Sequence, residues 1–236
     1  MAFNYRLQEP QRIRSLFDRL ARRYDIGNDI LSFGTHRAIK RRVIELLAPR
    51  AGGAYVDLCC GTGDLAIGIW KAAGGNARVI GVDFSSGMLE VAGERASRAS
   101  AVLELIEADV TKLPLRDGMF DGATMGFGLR NIKDKPRAFR EAFRILKPGG
   151  RFLVLEFNNP RDSKVPSLYR AYLSLFVPLG GLLASGDIDA YQYLTKSIHT
   201  FPRVEEVRRM GEQAGFFVEV TSFVAGQIGL YNCLKP

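Results

Sequence analysis

Apolar positions change their spacing twice along this chain. Ile13, Leu16, Phe17, Leu20 and Tyr24 recur at three and four residues, which predicts an amphipathic helix over 11–24. Ile39, Val43, Leu46 and Leu47 predict a second helix over about 35–48. From 54 onward short apolar runs alternate with helical stretches. Strands are expected at Ala54–Cys59, Arg78–Val82, Leu103–Ala108, Asp121–Phe127 and Arg151–Phe157. The intervening helices are Leu65–Ala73, Gly87–Ala99 and Lys135–Leu146, the last stopped by Lys147-Pro148-Gly149-Gly150. Such alternation implies right-handed crossovers and a parallel sheet covered on both faces.

The spacing changes again at the end. A helix over Val204–Ala214 stops at Gly215, and strands over about Phe217–Phe223 and Gln227–Leu234 follow with a short link. Parallel neighbours need a long crossover, so these two form an antiparallel hairpin. The expected fold is α/β: a Rossmann-like, doubly wound, seven-stranded sheet, mostly parallel, closed by a reversed hairpin. One domain spans 1–236, with an N-terminal helical cap (1–50), a core (51–157), a lid insertion (158–200) and the C-terminal helix and hairpin (201–236).

Composition narrows this further. With 47% hydrophobic and 25% charged residues the chain can build a core, which excludes disorder. The longest uncharged run, Ala171–Gly186, carries Pro178 and three glycines and falls short of the roughly 20 residues of a spanning helix. Met1–Gln11 offers no apolar signal core. Cys59, Cys60 and Cys233 form neither a disulfide framework nor a metal spacing, so a reduced, cytoplasmic setting is expected. Charge is uneven. The net +8 is 33 minus 25, and residues 1–50 alone hold eleven Arg/Lys against five Asp/Glu. A basic face of this kind suits RNA, anionic lipid or an acidic substrate, and equally a solvated helix face.

The chemistry concentrates in one turn, Val56-Asp57-Leu58-Cys59-Cys60-Gly61-Thr62-Gly63-Asp64-Leu65-Ala66. Gly61, Gly63 and Ala66 satisfy G-x-G-x-x-A after a strand, and Asp83 ends the next strand, as in a dinucleotide fingerprint. Charge decides against a dinucleotide. Asp57 and Asp64 flank the turn, and carboxylates beside a pyrophosphate repel it by a few kcal/mol at about 4 Å. S-adenosyl-L-methionine, with a sulfonium and an ammonium, reverses the sign. Asp83 can then take both ribose hydroxyls, Met88 can lie on the adenine face, and Asp109 with the Val110 N–H can meet the adenine edge. Met88 also fits a helix core, and Asp109 an ordinary turn.

The order of elements resembles class I S-adenosylmethionine-dependent methyltransferases. More closely, the chain resembles the ubiquinone/menaquinone biosynthesis C-methyltransferase family. Tyr24-Asp25-Ile26-Gly27-Asn28-Asp29, Ser32-Phe33-Gly34-Thr35-His36-Arg37, Gly61-Thr62-Gly63-Asp64, Phe127-Gly128-Leu129-Arg130-Asn131, Leu155-Glu156-Phe157, Ser197-Ile198 and Phe201-Pro202 carry the likeness. It implies methyl transfer to a ring carbon of a prenylated quinol and puts Thr62, Asp83, Asp109 and Val110 on cofactor positions. Gly126 stands where some members have a serine near the cofactor. The Cys59-Cys60 pair leans toward the naphthoquinone-methylating branch, demethylmenaquinol to menaquinol.

Methylating carbon needs an electron-rich ring held in line with the sulfonium methyl, so the acceptor must be the reduced quinol. Arg130 and Asn131, beyond the fourth strand, are the candidates to stabilise a phenolate and hold the ring oxygen. Arg130 is no base, since a guanidinium does not lose its proton. A histidine base means His36 or His199; His36 is the catalytic candidate, with capping or packing as its other role. Tyr24, Asp25, Asn28 and Asp29 can close over the site, or Asn28 and Asp29 can cap a helix. Leu173, Leu175, Phe176, Val177, Leu179, Leu182 and Leu183 offer an apolar patch for an isoprenoid tail and, beside the basic N-terminal region, for peripheral membrane contact. A homodimer is left open. RNA methylation is disfavoured: the fourth strand ends without a Pro-Pro-aromatic element or a cysteine there. Nucleic acid is therefore not an expected partner.

Overall fold

A computed structural model of the chain describes residues 10–21, 35–162 and 188–236. Among the described residues two helices precede the sheet, α1 (Pro10–Leu20) and α2 (Thr35–Leu47). The core then alternates β1 (Ala54–Leu58), α3 (Asp64–Ala72), β2 (Arg78–Asp83), α4 (Ser86–Arg98), β3 (Glu104–Glu107), β4 (Phe120–Gly126), α5 (Lys135–Ile145) and β5 (Leu146–Phe157). A 3₁₀ turn, Leu129–Asn131, separates β4 from α5. The chain closes with α6 (Ile188–His199), α7 (Val204–Gln213), β6 (Phe217–Phe223) and β7 (Ile228–Leu234).

The seven strands lie in the order β3-β2-β1-β4-β5-β7-β6. β1 pairs in parallel with both β2 and β4, while β7 runs antiparallel to β5 and to β6. The chain therefore winds outward from β1 in one direction and then in the other. Helices on opposite faces part at the β1–β4 junction, which leaves a crevice at the carboxyl ends of those strands.

Alternation along each strand builds two cores. Val56, Leu58, Ile80, Val82, Ala123, Met125, Phe152 and Val154 face α5 and α7, against Phe139, Ala142, Ile145 and Val207. Tyr55, Val79, Leu153 and Leu155 face the other way, against Val43 and Leu47 of α2 and Leu65 and Ile69 of α3. Strands buried on both faces read as continuous apolar runs, which is why they were visible in the sequence.

Most boundaries fall within two residues of expectation. The exceptions are α1, which ends at Leu20 rather than at Tyr24, and β5, which starts at Leu146 rather than Arg151. Leu146 pairs with Phe120, and the register shifts before Gly122 pairs with Arg151. Gly149, at φ +77, and Gly150 exchange backbone hydrogen bonds with Lys235 at 2.9 Å each. The Pro-Gly-Gly segment thus ends the helix and also enters the ladder as an irregularity. Of the expected lid, Asn158–Asp162 and α6 are described; the Leu173–Leu183 patch and the segment holding Tyr24, Asp25, Asn28 and Asp29 lie outside the described residues.

Candidate active site

At the β1–β4 crevice lies a cleft of about 750 Å³. Gly61 comes to it from the turn after β1, Asp83 and Phe84 from the end of β2, Asp109 and Val110 from beyond β3, and Gly126 from β4. Met88 of α4 and Asn131 of the 3₁₀ turn complete the wall. α1 roofs it with Ile13, Arg14 and Phe17, a role its amphipathic pattern did not disclose. Phe17 meets Phe84 edge-on at 6.4 Å. Asp18 Oδ1 accepts from Ser85 Oγ (2.6 Å) and from the Gly87 N–H (3.1 Å), so the roof is pinned to the first turn of α4. Arg14 reaches across the mouth to Glu107.

The glycine turn works as a backbone device. Gly63 stands at φ +82 as the N-cap of α3, a conformation that costs other residues a Cβ clash. Cys59 and Phe127 adopt positive φ (55° and 58°) without that freedom, and both line the cleft. Backbone strain of this kind gathers where a site needs a fixed shape. A Cβ at Gly128 would sit 2.5 Å from Cys59 Cβ, so glycine is what lets the loops after β1 and β4 meet.

Asp83 is 6% exposed, and each of its oxygens already accepts a backbone N–H: Gly61 at 2.9 Å and Ser85 at 3.0 Å. A carboxylate has about four acceptor sites, so two remain for a pair of hydroxyls. Burial pushes its pKa up, and the N–H bonds from Ser85 and Gly61 oppose that. Asp109 Oδ1 accepts from the Thr111 N–H and hydroxyl, both at 2.8 Å. Asp83, Glu107, Asp109 and Asp134 outnumber Arg14, Lys133 and Arg137 around apolar Met88, Phe84 and Val110, a lining that fits a flat, partly apolar ligand carrying positive charge. This donor set suits S-adenosylmethionine and does not suit a pyrophosphate.

Other predicted residues sit behind the wall. Asp57 is buried beneath the turn, where it accepts from the Ala66 N–H (3.2 Å) and Thr124 Oγ1 (2.7 Å). Burial drives its pKa up to about 7. Thr62 is buried too, with its hydroxyl and carbonyl held by Arg95 at 2.7 and 2.9 Å. Gly126 lines the cleft, and a Cβ there would press on Leu65 Cδ1 at 2.8 Å. His36 heads α2, and its side chain lies outside the described residues.

Beyond β4 the structure brings in two residues to which sequence reasoning gave no role. Glu156, fully buried on β5, accepts from the Arg130 backbone N–H, from Arg130 Nη1 and from the Phe157 N–H, each at 2.9 Å. The Arg130 side chain is 5% exposed and lies over the Phe157 ring at 5.6 Å. Arg130 thus stands behind the cleft, while its neighbour Asn131 faces it. Tyr193 of α6 donates to Asn131 Oδ1 at 2.9 Å. Burial raises that phenol to about 12, so it stays a donor near neutral pH. Glu156 carried a signal, being a charge inside an apolar strand end. Tyr193 carried none.

Two outcomes follow from these buried carboxyls. Glu156→Gln removes the carboxylate charge beside the buried Arg130 guanidinium and should destabilise the protein by about 3–5 kcal/mol in urea unfolding. A loss under about 1 kcal/mol would show that the pair does not hold the turn. Asp57, held above its unfolded value, binds more protons folded than unfolded between about pH 4 and 7, so its contribution falls as pH rises through that window. Asp57→Asn keeps an acceptor for Ala66 and a donor for the Thr124 oxygen but does not titrate. Its melting temperature relative to the parent should therefore rise between pH 5 and pH 8, by a free-energy difference on the order of a few kcal/mol. A pH-independent difference would exclude the shifted carboxyl.

Comparison with known proteins agrees with this fold. A ubiquinone/menaquinone biosynthesis C-methyltransferase from Pseudomonas putida is 38% identical over 232 residues, covering 97% of this chain and 91% of its own length. Among solved structures, a SAM-dependent methyltransferase from Thermotoga maritima superposes with a TM-score of 0.66 at 22% identity, covering 94% of this chain and 99% of that one. A Haemonchus contortus phosphoethanolamine N-methyltransferase, solved in complex with S-adenosyl-L-methionine, gives 0.61 at 18% identity over 84% of this chain and 52% of that one. These two show the shared fold. The family model described as the ubiE/COQ5 methyltransferase family matches residues 6–235, and the chain belongs to that family.

Proposed function

We propose that this chain transfers the methyl group of S-adenosylmethionine to a ring carbon of a prenylated quinol in ubiquinone or menaquinone biosynthesis. Demethylmenaquinol is the acceptor we assign, on the Cys59-Cys60 pair of the turn. The observation that carries the reading is a single cleft lined by both Asp83 and Asn131. Peripheral contact with the membrane that dissolves the quinol, from the cytoplasm, belongs to the same reading. Among the described residues no helix is long and apolar enough to cross a membrane. A homodimer is compatible with it and not required by it.

The cofactor, when bound, supplies an electrophilic methyl on a sulfonium. Asp83 would take the ribose hydroxyls on its two remaining acceptor sites. Met88 and Val110 would flank the adenine, with Asp109 at its edge. The turn from Gly61 to Gly63, supported from below by Asp57 and Thr62, would hold the methionine end beside Gly126. Opposite, Tyr193 occupies Asn131 Oδ1 and so commits the amide N–H₂ to donation. Asn131 would donate to a ring oxygen and hold it as negative charge develops there. Arg130 acts from behind as a positioning group, and its charge is balanced by Glu156. The hydroxyl proton leaves through a water at this turn, with His36 the second candidate.

Asp83→Ala should weaken S-adenosylmethionine binding by about 2–4 kcal/mol in calorimetry, since charge-assisted hydrogen bonds are lost. Unchanged affinity would remove Asp83 from the site, and a thermal shift with NAD would revive a dinucleotide ligand. The reaction itself is tested with methyl-labelled cofactor and a naphthoquinone or benzoquinone acceptor, with and without dithionite. Label should enter the ring only under reduction, because the oxidised ring is not nucleophilic. Equal incorporation in both conditions would contradict the quinol mechanism.

A further inference from the structure

A second cavity, of about 860 Å³, opens between α2 and α3. It shares no lining residue with the first cleft and differs from it in charge. Arg37, Lys40, Arg41, Lys71 and Arg95 line it against Glu45 and Asp64. Asp64 is already spent. Lys40 approaches it at 2.7 Å and Arg95 pairs with its other oxygen. Burial raises the Asp64 carboxyl, and those two cations outweigh the burial and hold it down at about 2. Glu45 is paired with Arg42 at 3.0 Å. Arg41 and Lys71 also face the groove, both exposed, and among the described residues neither has a carboxylate partner.

The floor is apolar. Ile44 of α2 packs over Gly68 of α3, where a Cβ would lie 2.3 Å from Ile44 Cδ1, so the two helices approach closely under the charged rim. One end of the groove is Asp64, the first residue of α3 and the next after Gly63 of the cofactor turn. The groove therefore reaches the same edge of the sheet as the cleft.

We propose that this groove seats the anionic headgroup of a membrane phospholipid and so docks the enzyme on the bilayer that holds its acceptor. The proposal rests on the prenylated-quinol reading and names the surface that reading needs. Charge complementarity selects an anion, and dimensions select the source. α3 has nine residues, so the groove is about 14 Å long. A nucleic-acid site that makes about six to ten phosphate contacts needs more cations than this groove holds, since two of its five already pair with Asp64. A headgroup needs one or two cations over an apolar floor, which is what the groove provides.

The test uses the full chain and sedimentation with vesicles of phosphatidylglycerol or of phosphatidylcholine. The parent should bind the anionic vesicles, less so as salt rises, and bind the zwitterionic ones far more weakly. Each basic residue near an anionic surface is worth roughly fivefold, so Arg41→Gln with Lys71→Gln should weaken phosphatidylglycerol binding by about 30-fold. The double variant should melt like the parent and methylate a short-chain, water-soluble quinol at the parent rate, since neither residue belongs to the cleft. Equal binding of variant and parent to phosphatidylglycerol would overturn the proposal. So would equal binding of the parent to both lipids, or displacement of vesicles by RNA at lower concentration than by soluble phosphatidylglycerol headgroup. If the parent fails on the soluble quinol while vesicle binding behaves as described, the acceptor reading falls and the docking surface stands.

Discussion

Three carboxylates taken out of water organise the working edge of this protein. Asp57 at β1, Asp83 at β2 and Glu156 at β5 are each 6% exposed or less. A buried carboxylate is costly unless hydrogen bonds replace its hydration. Here the replacements are backbone N–H groups: Ala66 in the first turn of α3 for Asp57, Gly61 and Ser85 of the loops after β1 and β2 for Asp83, and Arg130 of the 3₁₀ turn with Phe157 of β5 for Glu156. The carboxylates therefore fix the loops as much as the loops shelter the carboxylates. Cys59 and Phe127 stay at positive φ because the bonds around them over-determine the turns.

This arrangement divides the residues of the edge into two kinds. Asp83, Asp109, Met88 and Asn131 face the cleft and are available to ligands. Asp57, Thr62, Arg130 and Glu156 stand behind them and set their positions. Acidic strand ends beside a cationic ligand are the electrostatic choice that separates this cleft from a dinucleotide site of similar outline. α1 adds a roof by lending Asp18 to Ser85 and Gly87, so the cleft is closed by an element that contributes no strand to the sheet.

The parallel core was legible because its strands are buried on both faces and its helices carry plain stop signals. The hairpin was legible from the short link between Phe223 and Ile228. Site residues were legible where backbone geometry demands a residue type, as at Gly61, Gly63 and Asp83. What escaped depends on tertiary partners. Nothing local marks Tyr193 as the donor to Asn131, or Asp18 as the anchor of the roof. Arg130 read as a group facing the acceptor because its partner, Glu156, is 26 residues away on another strand. The start of β5 escaped for a related reason: Gly149 and Gly150 find their hydrogen bonds in Lys235, at the far end of the chain.

The back of the glycine turn and the basic groove share their side chains. Arg95 of α4 holds both oxygens of Thr62 and one of Asp64, and Lys40 of α2 holds the other. Their ionic attraction at a partly buried site is worth more than an exposed pair would be. α2, α3 and α4 are thereby tied together at the point where the glycine turn ends and α3 begins. An anion arriving in the groove meets cations already committed to Asp64, with Arg41 and Lys71 supplying the uncompensated charge beside them. The groove can therefore attract a negative surface without stripping the turn of its supports. Membrane contact and an intact cofactor site are compatible on physical grounds, because the charges that would serve the first are not those that hold the second.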